Sequence, residues 1–319
     1  PKRFFPHLSS EDSFPANIGD SHSKGAGFSS KDGNIVELEP ANMISKLDSL
    51  VKAGLIGHKN GFYFMPGREN LYEERIEKDK LANRKWKKFL RIAKYLQLAS
   101  YLRAVFASGS LAANNPEPKS DFDVFVIIKA GRLYTGRLFL WLISSILEVR
   151  RGRFNTIAPD KLCFNHYLTD DNLELSHKSL YIAQSLANMK PIMLAAGVFE
   201  RFSISNKWAS SYCYNFRQVA SYREVKPNRF MLTLAESGEF FLNNAFGDLF
   251  EKMLRSFQQR RIKKNPATYE SGGRIIFNDS ELEFHPRSFE KTVIENYNGN
   301  LKKIGVITAI EETDSGLLQ

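Results

Sequence analysis

The chain has 319 residues, 43% of them hydrophobic, and its 45 lysines and arginines outnumber 35 aspartates and glutamates to give a net charge of +10. That length provides for two or three domains of a soluble globular protein, and the basic balance favours polyanionic partners, nucleotide, tRNA or DNA, without choosing among them. Only Cys163 and Cys213 occur, which excludes a disulfide framework and a four-cysteine zinc site, and the start Pro1-Lys2-Arg3-Phe4-Phe5 carries no secretory apolar segment, so the cytoplasm is the expected compartment.

Residues 8–34 are rich in Ser, Gly, Asp and Lys with little periodicity, and the segment 1–34 reads as a mobile leader or the loose opening of the next domain. From Pro40 the apolar positions Met43, Ile44, Leu47, Leu50 and Val51 predict an amphipathic helix stopped at Gly54. Leu55-Ile56-Gly57-His58 and Phe62-Tyr63-Phe64 flank Asn60-Gly61, the strongest short-range hairpin signal. A helix followed by a hairpin resembles the end of a winged-helix domain, assigned to 35–70. Its helix carries only Lys46 and Lys52 as cations, with Asp48 between them, so a docking or substrate-positioning role ranks above DNA binding with Lys59 at the wing tip.

Residues 71–100 form a basic helical connector, helical from Glu69 through Leu96 with Ile76, Leu81, Phe89, Ile92 and Leu96 on its buried face. Next, Ala104-Val105-Phe106-Ala107 predicts a strand that delivers Ser108-Gly109-Ser110 into a turn, where backbone N–H groups are able to approach phosphate. After a loop, Ser120-Asp121-Phe122-Asp123 runs into the apolar strand Val124-Phe125-Val126-Ile127-Ile128. Alternate strand residues share a side, so Asp121 and Asp123 face one point while Phe122 turns into the core. Two convergent carboxylates beside a phosphate-cradling turn suit magnesium.

The order strand, Gly-Ser, loop, Asp-x-Asp, strand resembles the polymerase-β-like nucleotidyltransferase superfamily over roughly Leu102 to Leu175, within a core assigned to 101–175. The fold class expected is α+β: a small mixed-sheet nucleotidyltransferase core, a winged-helix-like domain before it and a helical domain after it. The resemblance implies that Asp121 and Asp123 carry magnesium, that Ser108, Gly109, Ser110 and Ser120 bind the nucleoside triphosphate, ATP foremost, and that a cation neutralises the leaving pyrophosphate. Lys190, in Asn188-Met189-Lys190-Pro191, is the candidate for that cation, with Lys178 and Arg150 behind it. Together with the winged-helix-like start, the arrangement is similar to prokaryotic nucleotidyltransferase-domain proteins, which assigns no acceptor; a small molecule, an RNA end or a protein hydroxyl all remain open.

The superfamily's third carboxylate has no obvious counterpart. The next strand, Lys161 to Leu168, is read with Cys163, Asn165 and Tyr167 on one face and Phe164 and His166 on the other, so the acid's place falls to Cys163 or Asn165. Asn165 is a weak amide ligand, and His166 serves as base only if the register turns it toward the site. The nearest acids in sequence are Asp160, Asp170 and Asp171. A second reading is therefore a nucleotide-binding regulator or DNA-binding protein with weakened turnover.

Between the two strands, Leu138 to Val149 falls short of a bilayer span and reads as a buried helix over 133–150, so no membrane partner is expected. The helical domain, 176–265, takes helices over Leu180–Phe199 with Pro191 interrupting, Lys207–Val219 and Phe230–Arg261. The tail, 266–319, takes a strand at Arg274–Phe277 and a helix at Phe289–Ile304, with His285 structural.

Overall fold

The computed structural model describes residues 40–152, 155, 157–213, 223–270, 272–286, 288–303 and 305. The leader, residues 214–219 of the expected helix 207–219 and the chain beyond 305 lie outside the described residues. Those described divide into two compact units, 40–80 and 81–305.

In the first unit, α1 (Pro40–Lys52) ends before Gly54, whose φ of +71° is the left-handed conformation that glycine adopts without strain. The strands β1 (Gly57–Lys59) and β2 (Phe62–Phe64) pair antiparallel across Asn60 and Gly61, both at positive φ, as a two-residue hairpin with right-handed twist requires. Met43 and Ile44 stay exposed, leaving Leu47, Leu50 and Val51 as the half-buried part of the expected apolar face.

Helix α2 (Asn70–Ala93) runs through the unit boundary and buries Trp86 and Phe89 in the second unit. There follow β3 (Leu102–Ala107), the single turn α3 (Gly109–Ala112), β4 (Phe122–Ile128), α4 (Leu133–Ile146) and β5 (Leu162–Thr169). Then come α5 (Leu180–Asn188), β6 (Lys190–Leu194), α6 (Val198–Ser205), α7 (Arg229–Leu242), α8 (Ala245–Lys263), β7 (Arg274–Phe277), β8 (Glu281–His285) and α9 (Glu290–Lys303). The six-stranded sheet has the order β6-β3-β4-β5-β8-β7, and β4–β5 is its one parallel pair, with α4 in the crossover. The architecture is α+β.

Both faces of the sheet are covered. Val105, Phe122, Val124, Val126, Leu162 and Tyr167 pack with Trp86, Phe89, Tyr134 and Leu140, while Phe106, Phe125, Ile127 and Leu168 pack on the opposite face with Ala183, Leu186 and Phe202. Burial on both sides is why Val124 to Ile128 reads as an unbroken apolar run.

Several expectations change. The helix expected over Leu180–Phe199 is two helices separated by β6, an edge strand, which is where a proline without an N–H is tolerated. The expected helix Phe230–Arg261 breaks at Asn243-Asn244, where the Asn244 side chain accepts from Gly247 N and caps α8. Lys207 onward forms a 3-10 turn to Ser211 within the described residues. Strand β8 was not anticipated, and with β6 and β7 it draws segments 190–194 and 274–285 into the same sheet as β3, β4 and β5. No described helix is long and apolar enough to cross a membrane.

Candidate functional site

Ser108 leaves β3 in an extended conformation and its N–H donates to Asp123 O at 3.0 Å, fastening the turn to the start of β4. Gly109 then takes φ +62°, and a Cβ placed there would overlap Asp123 Oδ2. Two requirements meet at this glycine: a left-handed backbone and direct passage of main chain over a carboxylate. Ser110 follows in α3, whose first turn leaves backbone N–H groups without helical acceptors.

The loop before Asp121 is fixed from beneath. Lys85 is 5% exposed, and its ammonium donates to Pro118 O at 3.1 Å, Ser120 O at 2.9 Å and Asp160 Oδ1 at 2.6 Å, while Lys88 reaches Asp160 Oδ2 at 2.8 Å. Ser120 Oγ accepts from Glu117 N at 2.9 Å, so this hydroxyl closes the loop. A buried ammonium must find acceptors or lose its charge, and here two carbonyls and an acid provide them.

Asp121 and Asp123 sit at the start of β4 on the face shared with Phe125 and Ile127. Asp123 Oδ1 accepts from Asn165 Nδ2 at 2.9 Å, and Asp121 Oδ2 accepts from Arg151 Nη1 at 2.6 Å. Cys163 is the register partner of Asp123 across the parallel pair, and ligand atoms of Asp121, Asp123 and Cys163 all lie within 4.8 Å of one another. Burial, and secondarily the charge of Asp121, pushes the Asp123 carboxyl up to about 7 against the opposing pull of Arg151. Burial and the same two aspartates push the Cys163 thiol up to about 12, which keeps it protonated at neutral pH.

The donor set divides by hardness. Two carboxylates crossed by a glycine backbone, with a guanidinium already drawn to one of them, fit a hard dication such as magnesium; the neutral thiol of Cys163 does not.

The structure corrects the expected faces of β5. The β4–β5 register shifts between Val124 and Phe125, whose partners are Phe164 and His166, so one extra residue is inserted at Asn165. His166 thereby turns to the aspartate face, packing its ring 4.9 Å from Phe125, and Tyr167 turns to the opposite face. His166 is nevertheless committed elsewhere: Nε2 lies 2.9 Å from Glu281 Oε1 and Nδ1 4.0 Å from Glu283 Oε1, one nitrogen to each carboxylate.

Lys190 opens β6 opposite Ala107, beside the residue that precedes Ser108. Lys178 pairs with Glu174. Asp160 belongs to Lys85 and Lys88, and Asp170, bonded to Ala130 N, stands beyond the far end of β4. The cation that reaches the aspartates is Arg151, the neighbour of the expected Arg150. Its only sequence signal was membership of the basic run Arg150-Arg151-Gly152-Arg153.

A buried ionic cluster also went unanticipated. Arg274, 5% exposed, donates to Glu283 at 2.7 Å and to Glu290 at 2.6 Å, and His177 Nε2 lies 2.9 Å from Glu290. Burial pulls the His285 imidazole beside them down to about 4.

Comparison of the chain with protein-family models, with curated proteins and with solved structures finds no match.

Proposed function

We propose that the protein is a magnesium-dependent nucleotidyltransferase of the polymerase-β-like kind, which moves a nucleotidyl group from a nucleoside triphosphate, ATP foremost, to a hydroxyl of a small molecule, an RNA end or a protein. The observation that carries this reading is the Gly109 backbone laid against the Asp123 carboxylate, with Asp121 one strand repeat away. It sets the Gly-Ser turn against a carboxylate pair, in the order in which the sequence carries them.

In this reading Asp121 and Asp123 hold the metal, which when bound neutralises charge on the phosphates. The backbone of Gly109 and Ser110 binds β- and γ-phosphate oxygens, and Asn165 fixes the rotamer of Asp123 through its 2.9 Å hydrogen bond. Because the Asp123 carboxyl titrates near 7, its proton must leave before the pair accepts a dication, so loading improves as pH rises through neutrality. Lys190, at the β6 edge beside Ser108, is the cation proposed to meet the leaving pyrophosphate. The acceptor hydroxyl oxygen attacks the α-phosphorus, the bond to the bridging oxygen of pyrophosphate breaks, and the hydroxyl proton passes to solvent water.

A second reading is favoured by one feature. Cys163 stands opposite Asp123 where a third carboxylate would complete the site, and a thiol held near 12 is a poor base at neutral pH. A nucleotide-binding regulator of weakened turnover fits that. The winged-helix-like unit is then a docking module, since Lys59 at its hairpin is engaged with Glu73 and lies over the Tyr72 ring.

Incubation with each labelled nucleoside triphosphate and magnesium, comparing wild type with Asp121→Ala/Asp123→Ala, tests the first reading. Label transfer in wild type alone is expected. Equal transfer, or none in either, rejects it, and activity created by Cys163→Asp favours the regulator.

A further inference from the structure

Arg151 occupies the ground that a cation shared by Asp121 and β5 would need. Its Nη1 lies 2.6 Å from Asp121 Oδ2 and 3.9 Å from Cys163 Sγ, and its Nε donates to Asn155 O at 3.1 Å. The backbone at this residue is tied down, Arg151 N donating to Leu162 O at 2.9 Å, whereas its side chain is 34% exposed and has room to swing. Lys85, 5% exposed and held by three acceptors, has no such room.

We propose that Arg151 is the resident counter-ion of the aspartate pair and gates its loading: a divalent ion must displace it from Asp121, and the displaced guanidinium becomes a phosphate ligand of the incoming nucleoside triphosphate. This rests on the nucleotide-binding reading above.

The charge balance gives the reason. A bare dication that claims Asp121 takes from Arg151 its carboxylate partner without offering an anion in exchange, and the two cations repel across a few ångströms. A metal–triphosphate complex is a net anion. It offers the expelled guanidinium planar pairs of phosphate oxygens, which suit its fork of donors better than they suit a lysine. Free metal therefore binds weakly, and metal and nucleotide load as a unit.

Calorimetry on the full chain tests this with Mn2+ alone and with magnesium plus α,β-methylene-ATP, each on wild type, Arg151→Met, Arg151→Lys and Asp121→Asn. Arg151→Met should bind free Mn2+ roughly tenfold more tightly and the ATP analogue roughly tenfold more weakly, the scale of one charged hydrogen bond lost on each side, with Arg151→Lys between wild type and Arg151→Met. Matching circular dichroism melts establish that the variants fold. Unchanged Mn2+ affinity in Arg151→Met overturns the gate, and unchanged analogue affinity overturns the phosphate role. If wild type and Asp121→Asn bind the analogue equally, the nucleotidyltransferase reading falls and the phosphate role with it, while the Mn2+ measurement still judges the gate.

Discussion

Replacing Asp123 by Asn should stabilise the protein while removing the proposed metal binding. The folded-state carboxyl titrates near 7 because it is buried and faces Asp121, whereas in the unfolded chain it titrates near ~3.9. The folded state therefore holds the proton more tightly than the unfolded chain. Near pH ~3 both states are protonated and the difference vanishes; as pH rises toward 7 folding must oppose an increasing penalty, which is complete above 7. Its ceiling is on the order of 4 kcal/mol, and partial access of water to Asp123 reduces it to about 2 kcal/mol. Asn keeps the shape and can still accept from Asn165 Nδ2, so it removes the penalty without opening a cavity. For a unit of this size the gain corresponds to a melting temperature higher by about 4–8 °C at pH 8, about half of that at pH 4.5 and close to nothing at pH 3. Thermal melts of both proteins at these pH values measure it. A variant that melts at or below wild type at pH 8, or gains equally at pH 3, refutes the burial argument.

Two further substitutions and one pH limb follow from the same geometry. Gly109→Ala should cost about 1–3 kcal/mol and abolish binding of the ATP analogue, because it adds left-handed strain and a methyl against Asp123; Gly131→Ala, at φ +70° with open space around its Cβ, should cost only about 1 kcal/mol in the same urea titrations. Arg274→Met should lower stability by about 3–5 kcal/mol by stranding Glu283 and Glu290 in the core. Burial raises the Glu290 carboxyl, but hydrogen bonds from His177 and Ser179 and the Arg274 charge outweigh it and hold it at about 2. Its contribution, about 3 kcal/mol, is thus complete above pH ~4.3 and lost on acidification toward 2, so Glu290→Gln should flatten the acid limb of a stability–pH profile.

The parts legible in the sequence are those governed by short-range pattern. Asn60-Gly61 specifies its hairpin locally, and Val124 to Ile128 announces a doubly buried strand by composition alone. The shared facing of Asp121 and Asp123 follows from strand parity, which needs only a period of two, whereas the contact of Gly109 with Asp123 comes from the pairing of β3 with β4. Features set by long-range pairing stayed hidden. The inserted residue at Asn165 changes the facing of His166 and Tyr167, and nothing in Phe164-Asn165-His166 marks it, because a bulge is chosen by the neighbouring strand. Strands β6 and β8 are short and carry Pro191 and the charged Glu281 and Glu283, so their strand character comes from the partners they find, β3 for the edge strand β6, and β5 and β7 on either side of β8.

The displaced residue at Asn165 also bears on how the site is assembled. Without the insertion Asn165 would alternate regularly with Phe164, and His166 would lie against the α2 and α4 face among Phe89 and Leu140. With it, Cys163, Asn165 and His166 all come to the aspartate face, Asn165 to hold Asp123 and His166 to bridge toward Glu281 and Glu283. One extra residue thus couples the carboxylate pair at the start of β4 to the ionic cluster around Arg274 through adjacent positions of a single strand. The same strand sets Cys163, not a third acid, opposite Asp123, and the cation that meets Asp121 there is Arg151: its backbone is pinned to β5, and its partly exposed side chain rests on Asp121.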